Sequence, residues 1–376
     1  MTTGPLISVS EADLDDLRER LRRTRWPAVL PVEGWAAGTE PETVHRLAEY
    51  WAGDFDWRAQ EASLNALPSA FADIDGARVH YLRFDAARGD APAIVVTNGW
   101  PSTFFELVPL AERLAAPERF GGSADDAFTV VVPSIPGFTF SEQRPSLTDA
   151  LPTHEVWHRL MRDHLGFARY AAHGGDLGSG ITARLGQAHP EAVTGIHVLS
   201  VAEPADVDPA SVTPEERRHL DDVAAWDDEE GAYAHQQSTR PVTLAYGLAD
   251  SPVGLLAWIL EKHRAWSDSG GDVGTRFSDD YLLTQASLYW FTNSIATSFR
   301  PYYEGARRIT PQVTRVDVPT AVALFPSGLA HPPRSWAERT YAVERYTVFD
   351  RGGHFAPHEE PDLLADDIRE FFRGRS

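Results

Sequence analysis

A chain of 376 residues has room for one large domain with insertions or for two domains, and 43% hydrophobic content with 11 tryptophans provides for a sizeable core. The formal charge of 34 − 55 = −21 argues against nucleic acid or an anionic membrane as partner, since both select for clustered positive charge. The absence of cysteine excludes disulfides, thiolate metal sites and thiol nucleophiles. The N-terminus has no basic stretch leading into an apolar core, and no apolar run reaches the length of a bilayer span, so a cytoplasmic protein is expected.

In chain order, Ser10-Glu11-Ala12-Asp13 reads as a capping box opening an amphipathic helix with Leu14, Leu17 and Leu21 on one face; Trp26-Pro27 ends it. Pro41 to about Asp54 and Trp57–Leu67 read as two more helices, giving a helical arm over residues 1–68. Asp75-Gly76 is a turn pair between strands Phe71–Ile74 and Arg78–Phe84. Ala93–Thr97, Phe128–Val132, Arg169–Ala172 and Val193–Ser200 are short apolar runs suited to buried parallel strands, with helical segments between them, one running from Thr153 to about Leu165. From Glu203 to about Glu304 the pattern turns helical (Glu215–Trp226, Leu255–Ala265, Asp279–Ala296), and the acidic run Asp227–Glu230 reads as a solvated face. Strands resume at Thr320–Phe325 and Tyr346–Phe349, and a last helix covers about Asp362–Phe372. The alternation predicts an α/β fold: a mostly parallel twisted sheet with helices on both faces, its core in residues 69–203 and 306–376, and a helical lid in 204–305.

Chemistry enters at His173–Gly178, HGGDLG. A short apolar strand leads into Gly-x-Asp-x-Gly, and a helix-compatible run from Ser179 to His189 follows. This is the pattern of a nucleophile elbow, in which a sharp turn lifts the central side chain into an active site. A carboxylate there can displace at a saturated carbon, and the ester so formed can be hydrolysed by water. The structural alternative is an aspartate capping a helix N-terminus. Downstream, Arg351-Gly352-Gly353-His354-Phe355 places His354 just after the last strand, the position of a general base in the order nucleophile first, histidine last. The loop Asn98-Gly99-Trp100-Pro101 follows a strand, where the backbone N–H of Trp100, with that of Leu177 after the nucleophile, would form an oxyanion hole; an ordinary strand-ending turn reads the same way.

Taken together, RWP at the end of the first helix, NGWPSTFFE, VVPSIPGFTFS, HGGDLGSGI, STRPVTLAYGLADSPVGLLAWILEK, LYWFTNSIATSFRPYYE and GGHFAPHEEP resemble the microsomal-type epoxide hydrolases of the α/β-hydrolase superfamily over nearly the whole chain. The resemblance implies opening of an epoxide by Asp176, cleavage of the ester by a water that His354 activates, and release of a vicinal diol, with no cofactor and no metal. It implies two lid tyrosines that hold and protonate the epoxide oxygen; motif matching selects Tyr233, before STRP, and Tyr302, with adjacent Tyr303 the lesser choice. A phenol remains protonated near neutrality and donates a strong hydrogen bond to a developing alkoxide.

Two positions depart from the family pattern. Asn98 stands where the oxyanion loop usually begins with histidine. Gly328, in Phe325-Pro326-Ser327-Gly328-Leu329, stands where the acid that orients the histidine belongs. Glu203, beyond the end of the strand after the nucleophile, is the candidate replacement, with Asp350 a weaker one. Trp258, Trp290 and Phe138 are candidate substrate contacts, implying an apolar, bulky or aromatic epoxide; tryptophans also pack lids without touching ligand. A homodimer is the one protein assembly considered. Two rival readings stand beside epoxide hydrolysis: a natural-product tailoring enzyme that opens the epoxide without water, and a binding protein that has kept the pocket.

Overall fold

The computed structural model describes residues 5–375. Three helices open the chain, α1 (Glu11–Arg22), α2 (Pro41–Ala52) and α3 (Trp57–Asn65); residues 1–4 of the expected arm lie outside the described residues. Leu14, Leu17 and Leu21 are buried as their spacing requires. The capping box at Ser10 is only half formed. Ser10 Oγ accepts the Asp13 amide at 3.1 Å, but the short Asp13 carboxylate takes the serine hydroxyl at 2.7 Å. A complete box occurs instead at Thr213 and Glu216, where the longer side chain reaches back to the cap amide.

The sheet has eight strands: β1 (Ser69–Ile74), β2 (Ala77–Phe84), β3 (Ala93–Thr97), β4 (Thr129–Pro133), β5 (Tyr170–Gly174), β6 (Val193–Val198), β7 (Val316–Leu324) and β8 (Tyr341–Val348). Their order is β1-β2-β4-β3-β5-β6-β7-β8. Strand β2 runs antiparallel to both its neighbours, β1 and β4, and the β1–β2 hairpin turns at Asp75 and Gly76, both with positive φ. The remaining strands are parallel. Every residue of β3, β4 and β5 is buried, which is why these strands read as unbroken apolar runs. Strand β8 is longer than Tyr346–Phe349. It lies at the sheet edge, and Glu344 and Arg345 hide its first half in the sequence.

Helices α4 (Val108–Ala115), α5 (Thr153–Arg159) and α6 (Leu177–Ala188) cross between the parallel strands. Between β6 and β7 lie α7 (Pro214–Glu230), α8 (Ala232–Thr239), α9 (Pro241–Asp250), α10 (Pro252–Ala265), α11 (Asp279–Thr292), α12 (Ile295–Ser298) and α13 (Arg300–Ala306). The acidic run Asp227–Glu230 faces solvent but continues α7. Gly231, Arg240 and Ser251 divide α7 to α10 into pieces too short to show a period, so α8 and α9 escaped the sequence reading. The expected helix Asp279–Ala296 breaks at Asn293, which takes a left-handed conformation at φ 50°. After β7 come α14 (Arg334–Glu338), then α15 (Ala356–Glu359) and α16 (Pro361–Phe372) beyond β8.

The N-terminal arm braces the lid. Trp51 Nε1 donates to Ser287 Oγ (3.1 Å), Thr39 Oγ1 donates to the Ala257 carbonyl (2.8 Å), and Arg20 pairs with Asp250 (2.8 Å). Among the described residues no single helix is long and apolar enough to cross a membrane.

Candidate active site

Strands β3 and β5 are neighbours, so the loops leaving their C-terminal ends meet above the sheet, where open α/β sheets place their ligands. Asp176 connects β5 to α6 with φ 50° and ψ −124°, a conformation that L-residues avoid and that costs about 1–3 kcal/mol. Close packing holds it there. A β-carbon on Gly99 would overlap the Asp176 side chain, one on Gly174 the Gly178 carbonyl, and one on Gly178 the Thr97 carbonyl. These glycines therefore serve by lacking volume, and the aspartate itself carries the positive φ. Ser179 Oγ ties the bend by donating to the Gly174 carbonyl (2.7 Å).

The two carboxylate oxygens of Asp176 have different surroundings. Oδ1 accepts the Trp100 amide at 2.9 Å. Oδ2 faces His354 Nε2 across 3.9 Å, too far for a hydrogen bond. Leu177 begins α6, so its amide lies outside the helix's own ladder. Asn98 does not lie idle where a histidine was expected. Its Nδ2 donates to the carbonyls of Gly99 (2.8 Å) and Ser102 (2.9 Å), fixing the loop that carries Trp100. Tyr289 also donates to the Ser102 carbonyl (3.2 Å).

Both selected tyrosines pack against Trp100, whose amide holds this carboxylate. Tyr233 stacks on the fully buried Trp100 (ring centroids 5.4 Å, 11°), and Tyr302 meets Trp100 edge-on (6.2 Å, 88°) and Tyr233 at 5.9 Å. Burial, reinforced by the negative charge of Asp176, raises both phenols above their ordinary pKa, so both remain donors at any physiological pH. The Tyr302 hydroxyl is shielded from solvent and has no hydrogen-bond partner among the described residues, while Tyr303 lies under the Arg307 guanidinium instead. The one lysine, Lys262, lies over the rings of Tyr233 (5.0 Å) and Trp266 (5.4 Å), a contact with no signal in the sequence.

His354 is anchored to the lid. Its amide donates to the Trp266 carbonyl (2.8 Å), Gly352 N to Asp268 Oδ2 (2.9 Å), and Glu359 accepts from the amides of Phe355 (3.1 Å) and Asp268 (2.8 Å). Burial lowers the imidazole pKa, partly opposed by Asp176. The sequence marks Trp266 only as a lid aromatic and gives no sign of Asp268 or Glu359, because backbone anchoring needs no motif.

Among the described residues no carboxylate hydrogen-bonds to the His354 ring. Ser327 pairs with Gly353, which brings Gly328 beside the histidine, and Gly328, Ser200, Asp176 and His354 line a cavity of about 60 Å³. The expectation that Glu203 orients His354 is corrected: Glu203 is exposed and does not line the cavity at His354, because the chain leaves the sheet after Val198. Asp350 is not among the cavity residues either.

On its other side Asp176 opens into a cleft of about 450 Å³, lined near the elbow by Leu177, Ile181, Ile135, Pro301 and Tyr302. The three expected substrate contacts are absent from its lining. Phe138 packs in the core against Tyr289, Trp258 donates to Gln237 Oε1 (3.1 Å), and Trp290 lies beside Arg20 at the arm–lid junction. Tryptophan marks burial without marking which cavity it faces. One group that could converge on a metal, His158, His189 and Glu191, lies at the opposite end of α6 from Asp176.

A parallel sheet crossed by helices, a strained elbow after β5 and a histidine loop after β8 define the class: an α/β-hydrolase fold with aspartate at the elbow. The comparisons agree. The epoxide hydrolase N terminus matches residues 5–107, and the alpha/beta hydrolase fold matches residues 92–257. Epoxide hydrolase 1 of Sus scrofa is 32% identical over 97% of this chain and 87% of its own length. The structure of Aspergillus niger epoxide hydrolase superposes with a TM-score of 0.84 at 30% identity, covering 100% of this chain and 97% of that one. Juvenile hormone epoxide hydrolase of the silkworm Bombyx mori gives a TM-score of 0.86 at 28% identity, covering 98% and 93%. The chain belongs to the epoxide hydrolases of the α/β-hydrolase superfamily.

Proposed function

We propose that the reaction runs through an ester on Asp176. Oδ2 attacks a ring carbon from the cleft, and the C–O bond breaks as Tyr233 and Tyr302 deliver a hydrogen bond and then a proton to the epoxide oxygen. Oδ1 becomes the ester carbonyl oxygen, already on the Trp100 amide. Neutral His354 then takes a proton from water, which attacks the Asp176 carbonyl carbon; the tetrahedral oxyanion is held by the amides of Trp100 and Leu177. Collapse expels the diol on the original Oδ2, its oxygen taking the proton held by His354; the second proton of the water, left on the regenerated Asp176 carboxyl group, returns to the tyrosinate. The cavity beside His354 has room for that water.

The observation that carries this reading is the division of labour at one carboxylate: an amide on Oδ1, with Oδ2 left unbonded between the histidine and the cleft. Family membership makes hydrolysis the reaction to be explained, in place of dry epoxide opening or binding alone. The apolar residues nearest the elbow, Leu177, Ile181 and Ile135, favour a substrate whose epoxide is carried on an apolar body. The test is a single turnover with enzyme in excess in heavy-oxygen water. The first diol should be unlabelled while the label enters Asp176; direct attack of water on the epoxide would label the first diol instead.

A further inference from the structure

The far wall of the cleft carries Arg184, a cation that no carboxylate among the described residues compensates, and also Arg144. Arg184 lies two turns along α6 from the elbow and lines the same cleft as Asp176 and Tyr302. Its Nε donates to the Pro311 carbonyl at 2.5 Å; among the described residues its other guanidinium donors have no partner and no carboxylate pairs with it. Gly180, one turn nearer the elbow, leaves the space that the Arg184 Nη1 atom uses. Arg144, also in the cleft wall, is 9% exposed; its Nη1 donates to the Leu151 carbonyl (3.0 Å), and its buried Nε has no partner among the described residues. Arg144 Nη2 pairs with Glu304 at 2.5 Å, but Arg300 Nε takes the same carboxylate at 2.6 Å. Arg144 and Arg300 thus share one carboxylate, and among the described residues Arg184 has none, in a chain of net charge −21. Burial lowers the pKa of both Arg144 and Arg184, as expected for cations without enough counter-charge.

We infer that Arg184 and Arg144 form the subsite for a carboxylate on the substrate, so that the preferred epoxide is an epoxy acid with its anion at the distal end of the cleft. This rests on the proposed attack by Asp176 and extends it to the substrate's other end. Eight positions along a helix separate Asp176 from Arg184, a rise of about 12 Å, which sets the span between epoxide and anion. At that separation the nucleophile's own charge is well screened from the substrate's. The apolar stretch Leu177–Ile181 lies between them. A guanidinium with free donors matches a carboxylate bidentately, which an ammonium does not.

The experiment compares a series of straight-chain epoxides of increasing length, each ending in a carboxylate, with their methyl esters, for wild type, Arg184→Met and Arg184→Lys. Two quantities are read: the acid-to-ester ratio of kcat/KM, and the same ratio of Kd for the corresponding diols by calorimetry. The expected result is an acid preference of at least about tenfold at one chain length in wild type, falling to near one in Arg184→Met and partly kept in Arg184→Lys. An Arg184 that only anchors Pro311 would weaken acid and ester alike and leave the ratio unmoved, which overturns the inference; so does a wild type without preference. Because binding is read on the diols, the subsite is decided even if neither epoxide turns over, an outcome that would instead count against the proposed mechanism.

Discussion

Gly328 and His354 face the same cavity of about 60 Å³, and the Gly328 backbone lies in a conformation open to any residue. A carboxylate introduced there would reach the imidazole. A β-carbon at 328 would stand 3.0 Å from the Phe325 carbonyl, a contact relieved by a shift of a few tenths of an ångström. In serine-triad enzymes loss of the orienting acid costs about 10⁴ in kcat, so the proposed mechanism predicts ester hydrolysis as the slow step, and Gly328→Asp should raise it by about tenfold or more. Rapid-quench trapping of the Asp176 ester against diol release measures this. Glu203→Gln serves as the control and should leave ester hydrolysis within about twofold, as expected for a surface position. A Glu203→Gln variant that accumulates ester would restore the role the structure denies it.

Tyr302→Phe removes a buried hydroxyl that has no partner among the described residues. Deleting an unsatisfied polar group does not destabilise, so Tm should hold or rise, while ester formation should fall by about 10²–10⁴ through loss of the proton donor. Tyr233→Phe should slow the same step, and the double variant should retain almost none of it. Single-turnover rates with thermal melting separate the two effects. A drop in Tm with unchanged rate would make Tyr302 a packing residue.

Gly99→Ala places a methyl where Asp176 stands. Either the elbow or the Trp100 loop must move, breaking the 2.9 Å contact from the Trp100 amide to Oδ1. The expected loss is about 10²–10³ in kcat, the scale of an oxyanion donor, with about 1–3 kcal/mol of stability from overpacking. Near-normal turnover in Gly99→Ala would mean that the amide contributes little to the transition state.

Acid should unfold the protein early. Burial pushes His80 down to about 3, and His154, His263 and His358 to about 4, so the folded chain refuses protons that the unfolded chain takes up below its ordinary value of about 6.5. Stability contributed by these neutral histidines is present above that value and is lost as pH falls from about 6.5 towards 4. Glu106, raised to about 8, and Glu359, raised to about 7, act in the opposite sense, gaining stability as pH falls through the same range. Four strongly depressed histidines against two glutamates leave a net loss. Tm measured from pH 7.5 to 4.5 should fall, with more than one proton taken up on unfolding; a Tm that climbs towards pH 5 would show that the glutamates dominate.

Where one residue type had to occupy one place, the sequence was readable. Gly174, Gly178 and Gly99 admit no side chain, and Asp176, His354, Tyr233 and Tyr302 sit in long ordered motifs; the structure gathers them around one carboxylate. The buried strands β3, β4 and β5 were readable because both faces are apolar. The charged start of edge strand β8 and the short pieces α8 and α9 were not, since neither leaves a period long enough to see. Trp258, Trp290 and Phe138 misled because apolar character predicts burial alone. Arg184 was invisible for the converse reason: an arginine on a helix face reads as solvated until its neighbours prove to lack a matching acid.

The hydrogen bond from His354 N to the Trp266 carbonyl joins the hydrolytic machinery to the cap above it. A chimera that borrows another relative's cap would therefore inherit a foreign seat for the imidazole, altering turnover together with selectivity. Remodelling this enzyme for new epoxides should proceed by editing cleft side chains on α5, α6 and α13, with the Trp266–Asp268 segment kept intact.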